Sequence, residues 1–249
     1  MEYGKDYGKA EMMAVAIIRE IKEGDVVFHG LASPTPMVAM KAAKALGKEF
    51  TYVTLTDGVD HDWSLPPYSA STLTDSTYEG SVATFGLDSI FDLFCSGKGD
   101  IALLSCLQMD KEGRIAMSYL GGDYEHPKLR GPGGAGSASL TPVTPRTTIW
   151  KTGHDKRIFV EHVDFATTSP ALDKMFTVIT TLCIFRKAPG QKYLGLDCIF
   201  PYTTMQEVKD NTGWEIEETE VTVMEPPTAE ELAAIKEVDV NNILAFEFN

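Results

Sequence analysis

The stretch "DVVFHGLASPTPMVAMKAAKALGKEFTYVTL", Asp25 to Leu55, reads as strand, turn, helix, turn and strand. "DVVFHG" is short, apolar and β-branched, the mark of a buried strand. Pro36 can open a helix in its first turn, "MVAMKAAKAL" continues it with small and apolar residues, and Gly47 ends it. "FTYVTL" is then a second strand. Two strands joined through a helix run parallel, with the crossover covering one face of the sheet. Ahead of them Met13, Ile17, Ile18 and Ile21 recur at helical spacing until Gly24. The alternation predicts an α/β protein with an open, mostly parallel sheet flanked by helices.

Outward from there, "DSIFDLFCSG" reads as a helix capped by Asp88 and "DIALLSCL" as a strand. "MDKEGRIAMSYLG" places a turn at Lys111 to Gly113 between extended pieces. After a glycine-rich stretch, "RTTIW", "KRIFVEHV", "MFTVITTLCIF" and "KYLGLDCIF" are strand candidates. Two helices close the chain, each announced by a capping box, Thr204 with Glu207 and Thr228 with Glu231. Neither an internal repeat nor an interdomain linker stands out, so residues 1–249 are expected to form a single domain.

The chain's 249 residues, 43% of them hydrophobic, suffice for a sizeable core. A formal charge of -14 repels a phosphate backbone and an anionic membrane surface, so neither nucleic acid nor membrane is expected as a partner. Cys95, Cys106, Cys183 and Cys198 lack a CxxC pair or histidines at metal spacing, and they read as reduced thiols. No metal site is proposed from the scattered His29, His154 and His162. The acidic, amphipathic N-terminus lacks a leader pattern, and a cytoplasmic protein is expected.

The second strand runs into "TDGVDHDW", Thr56 to Trp63, and strand ends in α/β proteins are where chemistry is commonly placed. From Thr56 to about Leu87 the sequence has no clear periodicity, and a connection that long is usually functional. Trp63, Tyr68 and Phe85 either line a pocket there or anchor the loop. His61, between Asp60 and Asp62, reads as an acid held protonated by its neighbours or as a solvated loop histidine. Ser33 follows the first strand and faces the same edge as Thr56, or belongs to the turn that starts the helix.

"DYEHPKLRGPGGAGSAS", Asp123 to Ser139, couples Lys128 and Arg130 to four glycines in six residues. Exposed amides in such a stretch can converge on an anionic oxygen, with Gly133, Gly134, Ala135 and Gly136 as the candidates, although a structural turn fits too. GxxxxGK[ST] is not present. His126, held extended by Pro127, either points into that site or bonds locally.

These residues carry a resemblance. "KAEMMAVAIIREIKEGDVVFHG", "GGDYEHPKLRGPGGAGSAS" and "KRIFVEHVDFATTSP" with "TTMQEVKDNTGWEIE" together resemble the small (beta) subunit of family I coenzyme A transferases, of the glutaconate CoA-transferase type. The resemblance implies an open α/β fold paired with a homologous alpha subunit, in a heterodimer or heterotetramer, acting on acyl-CoA. It implies no cofactor beyond coenzyme A as part of the substrate. In those transferases a glutamate at the end of the second strand attacks the thioester to give an anhydride. Thr56 stands at that position here, with Asp57 next to it. Two relatives that are similar in dispensing with the glutamate are steroid ring-opening CoA hydrolases and a 3-methylglutaconyl-CoA decarboxylase. The resemblance therefore implies a hydrolase or lyase whose catalytic carboxylate lies on the alpha subunit. A true CoA-transferase and a noncatalytic scaffold are the alternatives.

Overall fold

The computed structural model describes residues 1–67, 69–217 and 220–248. Tyr68 lies outside the described residues. The chain forms two compact units, one of residues 1–103 with 225–249 and one of residues 104–224.

In the first unit the elements are α1 (Lys9–Glu20), β1 (Val26–His29), α2 (Pro34–Ala45), β2 (Thr51–Val53), β3 (Gly58–Val59), β4 (Ala83–Thr84), α3 (Leu87–Cys95), β5 (Ile101–Leu104) and a closing helix, Ala229–Val238. The strands lie in the order β5-β1-β2-β3-β4. β1 is parallel to both β2 and β5, with Phe28 opposite Val53 and opposite Ala102. β3 and β4 add antiparallel. The parallel pairing predicted for "DVVFHG" and "FTYVTL" is therefore present.

The helices depart from their expected bounds at their N-termini. α2 begins at Pro34, with Ser33 as its N-cap residue, because Pro34 already supplies the fixed φ of a first helical position. α3 is capped by Gly86, and Asp88 lies inside its first turn, where a carboxylate still favours the positive end of the helix dipole. α1 is buried on nearly every side, Met12 through Ile18 without exception, rather than along one stripe. Its open C-terminal carbonyls are satisfied by Lys48, whose ammonium donates to Ile18 (2.8 Å) and Ile21 (2.7 Å). Arg19 binds the carboxylate of Glu231 through two bonds of 2.8 Å, tying the closing helix to α1.

The second unit holds β6 (Gln108–Asp110), β7 (Ile115–Ala116), β8 (Tyr119–Gly122), β9 (Pro127–Arg130), α4 (Ala135–Val143), β10 (Arg146–Trp150), β11 (Phe159–Val160), β12 (Met175–Ile179), β13 (Cys183–Lys187), β14 (Gly195–Ile199), α5 (Met205–Asn211) and β15 (Thr222–Val223). Its strands are ordered β15-β14-β13-β12-β10, with β11-β6-β7 and β8-β9 as small sheets. The turn expected at Lys111 to Gly113 joins β6 and β7 as an antiparallel pair. "MFTVITTLCIF" is two antiparallel strands rather than one, because Thr180 folds the chain back on itself. Its hydroxyl oxygen accepts from the amides of Leu182 and Cys183, each at 3.1 Å. His154 cross-links this unit's core, its Nδ1 2.8 Å from the Thr180 hydroxyl and its Nε2 3.0 Å from that of Thr212. Thr228 and Glu231 form a complete capping box, whereas Thr204 accepts from the Glu207 amide without the return bond.

Candidate active site

β2 ends at Val53, and Leu55, Thr56 and Asp57 form the tip of a tight turn into β3. The turn closes through the Thr54 amide, which donates to the Gly58 carbonyl at 3.0 Å. Asp57 has φ +67, the left-handed residue that a three-residue hairpin loop requires at its last position. Strand alternation therefore does not govern where Thr56 and Asp57 point; the turn does.

Thr56 sits in a cluster of hydroxyls. Its Oγ1 donates to the Thr77 carbonyl at 3.0 Å and lies 3.0 Å from Thr54 Oγ1 and 3.1 Å from Thr77 Oγ1. Thr77 Oγ1 donates in turn to the Thr74 carbonyl (2.7 Å), and Thr54 Oγ1 to that of Gly58 (3.1 Å). Among the described residues no imidazole, carboxylate or amine touches the Thr56 hydroxyl. A hydroxyl needs an adjacent base to become a nucleophile, and the partners of this one are a carbonyl and two other hydroxyls. The Asp57 carboxylate, by contrast, makes no hydrogen bond or ion pair among the described residues, while its main-chain carbonyl accepts from the amide of Phe85 (3.1 Å).

The loop beyond β1 reaches the same edge of the sheet, since β1 and β2 are parallel and in register. Ser33 is buried there, and its hydroxyl donates to the Leu31 carbonyl at 3.0 Å, the turn-forming use of this serine. Thr72 Oγ1 donates to the Gly30 carbonyl at 3.3 Å, which brings the long loop onto the end of β1.

His61 is neither solvated nor protonated, which corrects both readings of the sequence. Its side chain is buried at 3% relative exposure, with the Tyr52 ring 4.5 Å away edge to face. Burial, followed by the charge of Lys41, pushes its pKa down to about 3, outweighing Asp62. The ring turns inward because Asp60 turns outward. Asp60, at φ +43, spends its carboxylate on the Tyr52 amide (2.9 Å) and on Lys44 (2.9 Å).

Behind the turn lies a buried polar group that sequence reasoning missed. His29 Nε2 is 2.8 Å from the Tyr52 hydroxyl, and its Nδ1 is 3.0 Å from the Gly30 carbonyl. A carbonyl only accepts, so Nδ1 carries the proton and Nε2 accepts from Tyr52. Burial lowers the pKa of His29 to about 4, against the favourable Gly30 carbonyl and with a further push from Lys41. Lys41, fully buried on α2, donates to the carbonyls of Leu65 (2.9 Å), Ser76 (3.1 Å) and Trp63 (3.4 Å). Its pKa is lowered to about 8 by burial, with Asp62 opposing. "MVAMKAAKAL" gave no sign that this lysine points inward, since Lys41 and Lys44 look alike in a small-residue helix.

In the second unit the glycine-rich stretch opens α4, a helix the sequence did not announce. Not all four candidate amides are available. That of Gly133 donates to the Met117 carbonyl at 3.0 Å, so Gly133 is a structural hinge at φ +89 rather than an anion donor. The amides of Gly134, Ala135 and Gly136, in the first turn of α4, have no acceptor among the described residues, as expected for unpaired N-H groups at a helix start. Ala135 is held at φ +41, a conformation that costs a non-glycine residue on the order of 1–2 kcal/mol. His126 is 82% exposed in the β8–β9 turn, where its amide donates to the Asp123 carboxylate at 2.7 Å. Its hydrogen bonding is local, to Asp123 three residues back.

The chain is 27% identical to the B-type subunit of the 3-oxoadipate CoA-transferase of Pseudomonas knackmussii, over 96% of both chains. It is 24% identical to the B-type subunit of the glutaconate CoA-transferase of Acidaminococcus fermentans, over 93% of this chain and 92% of that one. Among solved structures, one chain of the decarboxylase AibA/AibB superposes with a TM-score of 0.87 at 26% identity, covering 95% of this chain and 96% of that one. The coenzyme A transferase family model matches residues 10–211, through both units, and the chain belongs to the coenzyme A transferase family.

Proposed function

We propose that the chain is the B-type subunit of a heteromeric enzyme that processes an acyl-CoA by hydrolysis or carbon–carbon cleavage. It pairs with a homologous alpha subunit that carries the catalytic carboxylate. One observation carries this reading: at the turn after β2, where the resemblance puts the attacking glutamate of the transferases, stands Thr56, whose hydroxyl donates to a carbonyl and has no base beside it among the described residues. A threonine hydroxyl cannot form the acyl anhydride that transfer requires. The likeness to the decarboxylase AibA/AibB supports the same reading.

In both reactions negative charge develops on the thioester oxygen. It arrives with the electron pair of a breaking carbon–carbon bond, or with water adding to the carbonyl carbon. The amides of Gly134, Ala135 and Gly136 would stabilise that oxygen, and one such preorganised donor is worth about 3 kcal/mol. The loop from Thr56 to Leu87 would shape the acyl pocket, with Trp63 and Phe85 on its wall.

The chain is co-expressed with its alpha subunit, and acyl-CoA loss is followed with and without an added carboxylic acid acceptor. Release of free CoA or of carbon dioxide, independent of acceptor, supports the proposal. Strict dependence on acceptor overturns it in favour of transfer. The transferase reading has one specific observation behind it, the unbonded carboxylate of Asp57 at φ +67 just past the end of β2. Transfer abolished by Asp57→Ala, in a chain that still assembles, would assign Asp57 as the nucleophile.

A further inference from the structure

The ammonium of Lys41 is the one buried cation described in the first unit whose hydrogen bonds all go to backbone carbonyls of a single loop. Among the described residues no carboxylate lies within ion-pair distance of it. Enclosing a charge without a counter-ion is expensive, and three carbonyl dipoles repay only part of that cost. Burying it there does something specific. Trp63 and Leu65 follow the β2–β3 hairpin, whereas Ser76 lies at the far end of the loop, in the 3-10 turn Asp75–Thr77. One ammonium therefore draws both ends of the segment onto α2.

The neighbouring peptide connects this clamp to the site. Lys41 bonds the carbonyl of Ser76 at 3.1 Å, and Thr56 bonds the next carbonyl, that of Thr77, at 3.0 Å. Successive carbonyls of one turn are thus held from two directions, by α2 and by the tip of the hairpin. Thr77 also bonds back to the carbonyl of Thr72, whose own hydroxyl reaches Gly30 at the end of β1. Moving the 76–77 peptide moves the seat of Thr56 and, through the same tight turn, of Asp57.

We infer that Lys41 is a positioning residue, which holds the 63–77 segment against the β2–β3 turn and so fixes the wall of the acyl site. The clamp follows from the geometry alone; its bearing on turnover rests on the functional reading above.

Lys41→Met keeps the length and apolar stem and removes the donors. Hydrogen exchange of the full chain, read by mass spectrometry, is expected to rise in peptides covering 54–60 and 63–77 and to stay unchanged in α1 and in β10 and β12. In the reconstituted heteromer kcat/KM for the acyl-CoA should fall on the order of 10- to 100-fold, as displacements of about 1 Å do. Ethylammonium added to Lys41→Ala should recover part of the loss, and sodium chloride at equal ionic strength should not. Exchange that rises throughout the chain, or nowhere, overturns the inference, as does a loosened loop with wild-type kinetics. Should Lys41→Met not fold, Lys41→Leu, which also removes the donors and keeps an apolar stem, is read by the same criteria. A wild-type pair without acyl-CoA turnover would overturn the proposed function, while loosening confined to the two loop peptides would still support the clamp.

Discussion

Replacing Thr56 by valine separates a structural hydroxyl from a reacting one. The substitution keeps the β-branched shape and deletes one donor, so the Thr77 carbonyl loses its bond of 3.0 Å. The other hydroxyls keep their own acceptors, Thr77 at the Thr74 carbonyl and Thr54 at that of Gly58. A net neutral hydrogen bond is worth about 1 kcal/mol, and the half-buried site lets water repay part of that. A loss of about 1 kcal/mol lowers the melting temperature of a chain of this size by about 2–4 °C. Turnover of the assembled enzyme should fall by less than roughly tenfold, whereas deleting a true nucleophile typically costs on the order of 10⁴-fold or more in kcat. Thermal melts and steady-state kinetics on the same preparation decide the matter. A collapse of kcat with the melt intact would refute the structural assignment.

Other consequences follow from the same geometry. His29 and His154 are buried and neutral with pKa values near 4, against 6.5 for a free imidazole, so the unfolded chain binds more protons between these values. Stability is therefore complete above about pH 6.5 and is lost as the pH falls towards 4, by on the order of 3 kcal/mol per histidine, which denaturant melts from pH 7 to 4 would register. His154→Gln should flatten that dependence; an unchanged slope would contradict the burial argument. A Cβ at Gly134 would lie 2.8 Å from Ala138 Cβ and 3.0 Å from Thr167 Cγ2, so Gly134→Val should cost stability as well as activity, by about 1–3 kcal/mol in a melt. At Gly99 an added Cβ would overlap the ring of Phe94, and Gly99→Ala should destabilise the chain by a similar amount while leaving KM for the acyl-CoA unchanged.

Where periodicity is strong the sequence is a sufficient guide: Met13, Ile17 and Ile18 specify α1, and "VVFH" with "TYV" specifies a parallel pair, because burial on both faces demands continuous apolar runs. It is a poorer guide where one residue redirects the chain. Thr180 splits what reads as a long strand, and its turn is closed by side-chain bonds that no apolar pattern encodes. α4 hides behind glycines and contains Pro142, both of which read as loop. At the site, the position of Thr56 and Asp57 is legible, but their roles depend on a turn and on carbonyl partners distant in sequence. His61 illustrates the limit: flanking aspartates suggest a charged, solvated ring, whereas Asp60 binds Lys44 and leaves His61 against Tyr52.

The central claim is that this chain contributes a wall and hydrogen bonds, not a covalent nucleophile, to a CoA thioester site. Its most direct test is intact-mass analysis of both subunits after the assembled enzyme is mixed with acyl-CoA and quenched with borohydride. The account predicts that this chain keeps its unmodified mass while substrate is consumed. A reduced carboxylate on this chain, mapped to Asp57, would contradict it.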